Sequence, residues 1–243
     1  MSVASSLLST TAEEARGVQM VEMFGPTFQG EGPRAGQQAL FIRLAQCNLA
    51  CGWCDSRFTW DWTRYDPRKE TRRLPAADIA EWVLARPTPL VVITGGEPLL
   101  QQQTLVPLVG ALAQAGRRVE VETNGTITPS LELVDAVTTF NVSPKLAHAG
   151  GRQSRRLDSA ALHTLAGSGK AAFKFVVTGP GDLDEVAAIV DRFALAPVWV
   201  MPEATDSAGL VAAQRELADV VLARGWNLST RLHVLLREDT RGR

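Results

Sequence analysis

The sequence predicts an α/β protein, a partial, open βα barrel whose mainly parallel sheet has about six strands. Three observations predict it. Apolar runs alternate with amphipathic stretches along most of the chain. The run Leu90-Val91-Val92-Ile93 is short, wholly apolar and rich in β-branched side chains, as a strand buried on both faces requires. Six or so βα units in a chain of 243 residues fall short of the roughly 250 residues typical of a closed eight-fold barrel. A doubly wound sheet is the second choice.

The elements follow in order. Segments 18–24 and 39–44 read as strands, and 75–84 as a helix with Ile79, Trp82 and Val83 on one face. The strand 90–93 ends in Thr94-Gly95-Gly96, and a helix covers 101–115. A strand at 118–122, a helix at 130–136 and a strand at 139–142 come next. A helix at 158–165 precedes a strand at 172–177; a helix at 182–193, a strand at 198–201, a helix at 208–223 and a last strand at 229–235 complete the chain. Functional groups of such folds sit just past the carboxyl ends of strands.

Composition narrows the class. Hydrophobic residues at 45% and charged residues at 21% support a sizeable core. Lys and Arg number 25 against 26 Asp and Glu, a net charge of -1 that argues against wrapping a polyanion. No apolar run approaches the ~20 residues of a membrane helix. Segment 1–16 is rich in Ser, Thr and Ala, carries Glu13 and Glu14, and lacks a signal peptide's basic start and apolar centre. It reads as a disordered tail before a single domain over 17–243, in a cytoplasmic protein.

All three cysteines fall in Cys47-Asn48-Leu49-Ala50-Cys51-Gly52-Trp53-Cys54, a C-x3-C-x2-C loop after a strand. An odd count cannot all pair as disulfides, and thiolates this close can converge on one metal centre. A structural zinc needs a fourth ligand, here His148, His163 or His233. A four-iron cluster on three cysteines leaves one iron open to a ligand that is not protein.

The cysteine motif, followed by a strand ending in Gly95-Gly96-Glu97-Pro98, resembles the radical S-adenosylmethionine (SAM) superfamily. Glycines let backbone approach a ligand closely, and Glu97 can meet an ammonium. The match narrows through Phe28-Gln29-Gly30-Glu31-Gly32 upstream of the cysteines, then Phe41-Ile42-Arg43-Leu44, Glu122-Thr123-Asn124-Gly125, Ser143-Pro144-Lys145, Phe173-Lys174 and Leu232-His233. Together these resemble the QueE family, the 7-carboxy-7-deazaguanine synthases.

That resemblance implies a lyase acting on 6-carboxy-5,6,7,8-tetrahydropterin, contracting its ring to 7-carboxy-7-deazaguanine with loss of ammonia, in 7-deazapurine (queuosine-type) biosynthesis. It implies a [4Fe-4S] cluster on Cys47, Cys51 and Cys54, cleavage of SAM to a deoxyadenosyl radical, and return of the abstracted hydrogen so that SAM is regenerated. SAM would lie on Gly95, Gly96, Glu97, Glu122, Asn124, Ser143 and Lys145. Substrate would meet Phe28, Gly30, Glu31, Arg43, Thr94, Gly96 and His233. A hydroxyl two residues past the last cysteine, here Ser56, would bind Mg²⁺. An arginine on an apolar strand is costly unless paired, and the planar fork of Arg43 suits a carboxylate; the plainer reading is an ion pair with Glu22 or Glu97. Glu122 has an equally plain reading as the partner of Lys174.

Segment 57–73 interleaves aromatics with cations. It reads as a rim loop over the site or a dock for an acidic electron donor such as flavodoxin, rather than as a nucleic-acid surface. Relatives use residues near their carboxyl terminus in the pocket, but the hydrophilic segment 237–243 argues against that here. The resemblance also implies a homodimer. The rival readings are a glycyl-radical-enzyme activase, which shares the cysteine and Gly-Gly-Glu motifs, and a zinc or iron–sulfur binding module.

Overall fold

The structure is a computed structural model and describes residues 17–238 and 240–242; the tail read over 1–16 lies outside them. Its strands are β1 (Val18–Phe28), β2 (Gln38–Leu44), β3 (Arg72–Leu74), β4 (Leu90–Gly95), β5 (Arg118–Thr123), β6 (Thr139–Val142), β7 (Ala171–Val177), β8 (Val198–Pro202) and β9 (Asn227–Leu228). They form one open sheet in the order β3-β1-β2-β4-β5-β6-β7-β8-β9. Every neighbouring pair from β2 to β9 is parallel. On the near edge β1 runs antiparallel to both β2 and β3. Of the nine, β3 alone matches no segment read as a strand; β1 answers to 18–24, and β9 lies just before the segment 229–235.

The helices are α1 (Pro67–Glu70), α2 (Ala76–Leu84), α3 (Gln102–Gln114), α4 (Leu131–Ala136), α5 (Gln153–Arg156), α6 (Ser159–Gly167), α7 (Leu183–Phe193), α8 (Ser207–Ala223) and α9 (Leu232–Arg237). Asp158 is the N-cap of α6 rather than its first residue, its Oδ1 accepting from Ala161 N at 2.8 Å.

Register separates the two faces of the sheet, because residues paired across parallel strands share a side. Ile42, Ile93, Val121 and Phe140 follow one another across β2, β4, β5 and β6, and Phe175 pairs with Val200 across β7 and β8. This outer face is apolar apart from Thr123 at the end of β5. Ile79, Val83, Leu105, Leu108, Leu112, Leu162, Leu165, Val186 and Ile189 cover it from α2, α3, α6 and α7. Each such side chain contributes about 1.5–3 kcal/mol on burial. The inner face alternates with it and is polar: Arg43 pairs with Thr94, Glu120 with Thr139, and Glu122 with Asn141. Only the inner end nearest the strand starts is sealed by apolar groups, Ala39, Phe41, Leu90 and Val92 with Phe24.

Three expectations are corrected. The first strand continues past 24 to Phe28 through an irregularity between Phe24 and Thr27. Residues 72–74, the first two read as the end of a rim loop, form the edge strand β3. The last strand, expected over 229–235, is β9 at Asn227–Leu228, and Leu232–Arg237 is helix α9. The alternation of Leu232 and Val234 looked like a strand, but only Val234 is buried while Leu235 and Leu236 are exposed. With no further strand to pair beyond β9, this segment turns back: Leu232 N donates to Gly30 O at 2.8 Å.

Candidate active site

The inner face opens into a cavity of ≈ 630 Å³ at the carboxyl ends of the parallel strands. Cys47, Cys51, Cys54 and Ser56 line it, with Phe28, Gly30, Glu31, Arg43, Thr94, Gly95, Gly96, Glu122, Asn124, Ser143, Lys145 and His233. Of the residues expected at the site, Glu97 alone does not.

The cysteine loop leaves β2 and is pinned from several sides. Leu49 N donates to Cys47 Sγ at 3.4 Å and Trp60 Nε1 to Cys54 Sγ at 3.3 Å. Burial pushes the Cys47 thiol up to about 11, and burial also raises Cys51. Burial therefore favours the thiol form of both, and a metal centre bound there would supply the positive charge that holds thiolates. Among the described residues no three His, Cys, Asp or Glu side chains are arranged to hold a single ion. The histidines offered as a zinc ligand are engaged elsewhere. His148 Nε2 is 3.2 Å from Val176 O, His163 packs edge-on against Phe193, and His233 lies 3.9 Å from Glu31. The donor set, three soft sulfurs on one short loop facing a cavity, fits an iron–sulfur cluster with an open position.

Gly95 and Gly96 line the cavity and also serve a packing purpose. A Cβ on Gly95 would stand 2.3 Å from Leu44 O, and one on Gly96 1.8 Å from Gln46 O. Their lack of side chains lets the end of β4 lie against the backbone that carries the cysteine loop. Gly96 N donates to Leu44 O at 3.1 Å and Glu97 N to Gln46 O at 2.7 Å. Glu97 is fully buried behind this turn. Its carboxylate accepts from Leu99 N at 3.0 Å, Thr123 Oγ1 at 2.7 Å and Asn124 N at 2.7 Å. It therefore positions the Thr123–Asn124 turn instead of meeting an ammonium in the cavity. Asn124 Nδ2 in turn donates to Asn48 Oδ1 at 2.9 Å, tying β5 to the cysteine loop.

Glu31 is the charge centre of the opposite wall. Lys174 Nζ is hydrogen-bonded to its Oε2, and Arg231 Nε lies 3.3 Å from Oε1. Burial opposes ionisation of Glu31, but Lys174, Arg231 and His233 outweigh it and hold the carboxyl well below the usual range. Arg231 also pairs with Asp55, next to Cys54, so one guanidinium joins the Glu31 loop to the cysteine loop. Glu122 is not the ion-pair partner of Lys174; its oxygens accept from Gln29 Nε2 at 3.0 Å and Thr94 Oγ1 at 2.6 Å. His233 comes to the cavity on α9, and a Cβ on Gly30 would be 2.1 Å from its Nδ1.

Arg43 pairs with Glu22 at 2.9 Å and lies between the rings of Phe24 and Phe58, 5.6 and 5.8 Å from their centroids. The expectation that the carboxyl-terminal segment stays out of the pocket is corrected, since Thr240, Arg241 and Gly242 line the cavity. Their hydrophilicity is what brings them there: Arg241 reaches Glu22 at 3.3 Å and Glu70 at 2.9 Å, and lies over Phe58. Segment 57–73 contributes Phe58 and Trp60 to the wall while Arg64, Arg68 and Lys69 face outward.

Sequence reasoning missed Arg231 and gave Lys174 the wrong partner. Lys174 carried a readable signal, a single cation inside the buried strand Ala171–Val177. Arg231 follows the sheet's end, and nothing in its neighbours marks it.

Comparison with known proteins agrees with this geometry. Residues 42–146 match the model of the radical SAM superfamily. The chain is 34% identical over 229 residues to the 7-carboxy-7-deazaguanine synthase of Pyrobaculum aerophilum, covering 93% of this chain and 97% of that one. It is 35% identical over 236 residues to the synthase of Halobacterium salinarum, covering 88% of each. The crystal structure of QueE from Escherichia coli superposes with a TM-score of 0.70 at 26% identity, over 92% of this chain and 98% of that one. The thiol loop, the glycine turn behind it and this likeness over nearly the whole chain place the protein in the 7-carboxy-7-deazaguanine synthase family of the radical SAM superfamily.

Proposed function

We propose that the chain is a radical SAM carbon–nitrogen lyase converting 6-carboxy-5,6,7,8-tetrahydropterin to 7-carboxy-7-deazaguanine, with loss of ammonia, in 7-deazapurine biosynthesis of the queuosine type. One observation carries the reading: the cysteine loop, the Gly95–Gly96 turn and the Glu31–Arg43 wall all open on one cavity. Superfamily membership implies a [4Fe-4S] cluster and SAM, which when bound supply hydrogen-atom transfer at the substrate carbon bearing the carboxylate.

The chain's own residues bind, orient and seal. Cys47, Cys51 and Cys54 hold the cluster. The backbone of Gly95 and Gly96 receives the methionine part of SAM, and Glu122, Asn124, Ser143 and Lys145 its adenosine and carboxylate. Lys145 Nζ, hydrogen-bonded to Ser143 Oγ at 2.8 Å, is the cation on that side. Arg43 meets the substrate carboxylate, and Phe28, Thr94 and the backbone of Gly30 and Gly96 flank the rings. Glu31, held ionised, accepts hydrogen bonds from the far ring edge with His233 beside it. The Phe24 and Phe41 rings, stacked 4.9 Å apart, close the apolar end and exclude water.

Mg²⁺ is part of the proposal. Ser56 Oγ lies 3.7 Å from Cys54 Sγ on the cavity wall, where one protein oxygen plus substrate oxygens and water suits a hard cation. Docking of an acidic electron donor such as flavodoxin is supported by the outward cations Arg64, Arg68 and Lys69 on the same segment as Trp60, which bonds to Cys54. The homodimer and the cytoplasmic location rest on the family; among the described residues no helix is long and apolar enough to cross a membrane.

Anaerobic incubation with reductant, SAM, Mg²⁺ and carboxy-tetrahydropterin should yield carboxy-deazaguanine by mass spectrometry. An intact cluster that cleaves SAM but forms no deazaguanine would favour an activase. About one zinc and no iron in protein made anaerobically would favour a binding module.

A further inference from the structure

Asn141 lies on β6 with its side chain on the cavity face, in register with Glu122 on one side and Ala172 on the other. It is 1% exposed, yet neither its Oδ1 nor its Nδ2 has a hydrogen-bond partner among the described residues. An unmade hydrogen bond in a buried site is a direct cost, so buried carboxamides are normally satisfied.

The surroundings withhold partners. Glu122, its register neighbour, is taken by Gln29 and Thr94, and Glu31 by Lys174 and Arg231. The loop above contributes Gly32, where a Cβ would stand 2.7 Å from Nδ2, and Gly32 N donates to Ser229 Oγ instead. The other carboxamides of the cavity wall are both engaged. Gln29 bridges Glu120 and Glu122 and accepts from Glu31 N, and Asn124 binds Asn48 and Thr126. Asn141 alone of the three offers the cavity a free donor and a free acceptor side by side.

We propose that Asn141 is a specificity-determining residue that reads a lactam edge of the substrate, a ring N–H next to a ring C=O, through two parallel hydrogen bonds. The inference rests on the reading of this cavity as the carboxy-tetrahydropterin site and names the group that distinguishes its pyrimidinone ring. Carboxylates such as Glu31 and Glu122 only accept, and Lys174, Arg231 and Arg43 only donate. A carboxamide does both at fixed spacing, which an edge carrying one donor and one acceptor requires. A site built to hydrogen-bond a given edge discriminates strongly against analogues that lack it.

The test compares anaerobically prepared, cluster-loaded wild type with Asn141→Leu, which keeps the size and removes both polar atoms, and with Asn141→Asp, which keeps only acceptors. KM and kcat for carboxy-tetrahydropterin, SAM affinity and thermal midpoint are measured for each. Both variants should raise KM at least tenfold, with SAM affinity within twofold of wild type. Asn141→Leu should melt at or above the wild-type temperature, because the lost atoms had no protein partner. A KM within twofold of wild type in both variants overturns the inference and leaves the functional reading standing. A lowered melting point with a parallel loss of SAM affinity in both variants also overturns it, since the carboxamide then serves the fold. Wild type that neither binds nor converts the pterin removes the functional reading itself, and this inference with it.

Discussion

Arg43 and Glu22 are register partners on the antiparallel strands β2 and β1, and their side chains form an ion pair of 2.9 Å at the cavity wall. The second oxygen of Glu22 lies 3.3 Å from Arg241, so one carboxylate holds two guanidiniums at this corner. Arg43 is thus fixed in place and still faces the cavity. Losing a charge-assisted contact whose partner stays buried costs on the order of 2–5 kcal/mol. Arg43→Ala should therefore weaken substrate binding more than tenfold. Arg43→Lys should also impair it, because an ammonium lacks the planar fork. SAM affinity, measured in the same preparations, should hardly change, and wild-type substrate affinity in Arg43→Ala would contradict the assignment.

Ser56→Ala removes the hydroxyl beside Cys54 that is proposed to bind Mg²⁺. It should abolish most of the stimulation of turnover by added Mg²⁺, while Ser56→Thr, which keeps the oxygen, should retain it. A titration of rate against Mg²⁺ in the three proteins checks this; an unchanged response in Ser56→Ala would relocate the ion.

Glu120 is fully buried, and burial together with the Glu122 charge raises its carboxyl to about 7, against hydrogen bonding from Gln29 and the Arg34 guanidinium 3.4 Å away. The folded protein therefore holds a proton between about 4.5 and 7 that the unfolded chain has released. Stability from this group is full below pH 4.5, falls as pH rises through that window and is lost above 7. Glu120→Gln should remove the decline and stabilise the protein on the order of 3 kcal/mol at pH 8. Denaturant unfolding at pH 5 and pH 8 measures it, and an equal pH dependence in wild type and variant would contradict the shift.

Gly96→Ala places a methyl 1.8 Å from Gln46 O, in backbone that cannot move without moving the cysteine loop. It should cost about 3 kcal/mol or more in stability and lower the iron retained per chain. Wild-type melting and iron content would show the turn to be looser than its packing.

How much of this was legible in the sequence differs by element. The run 90–93, with apolar side chains on both faces, announced a central parallel strand, and β4 is one. The three cysteines, Glu31 and Arg43 were readable because each is an unusual residue in its local pattern. Glu97 was misplaced because a motif gives spacing but not direction; its carboxylate turns back to backbone N–H groups just past the ends of β4 and β5. The helix at His233 was read as a strand because alternation over a few residues fits either element until burial decides. Arg231 and the inward fold of Arg241 depend on partners far along the chain, and the unmade hydrogen bonds of Asn141 on what surrounds it in the fold, which no local pattern encodes.

The most direct test is the stoichiometry of SAM in a single reaction containing reductant, Mg²⁺ and excess carboxy-tetrahydropterin. If this cavity returns the abstracted hydrogen, many molecules of 7-carboxy-7-deazaguanine should form for each SAM consumed, and Cys47→Ala, Cys51→Ala or Cys54→Ala should form none. One deoxyadenosine per turnover without deazaguanine, from protein with its cluster intact, would contradict the account.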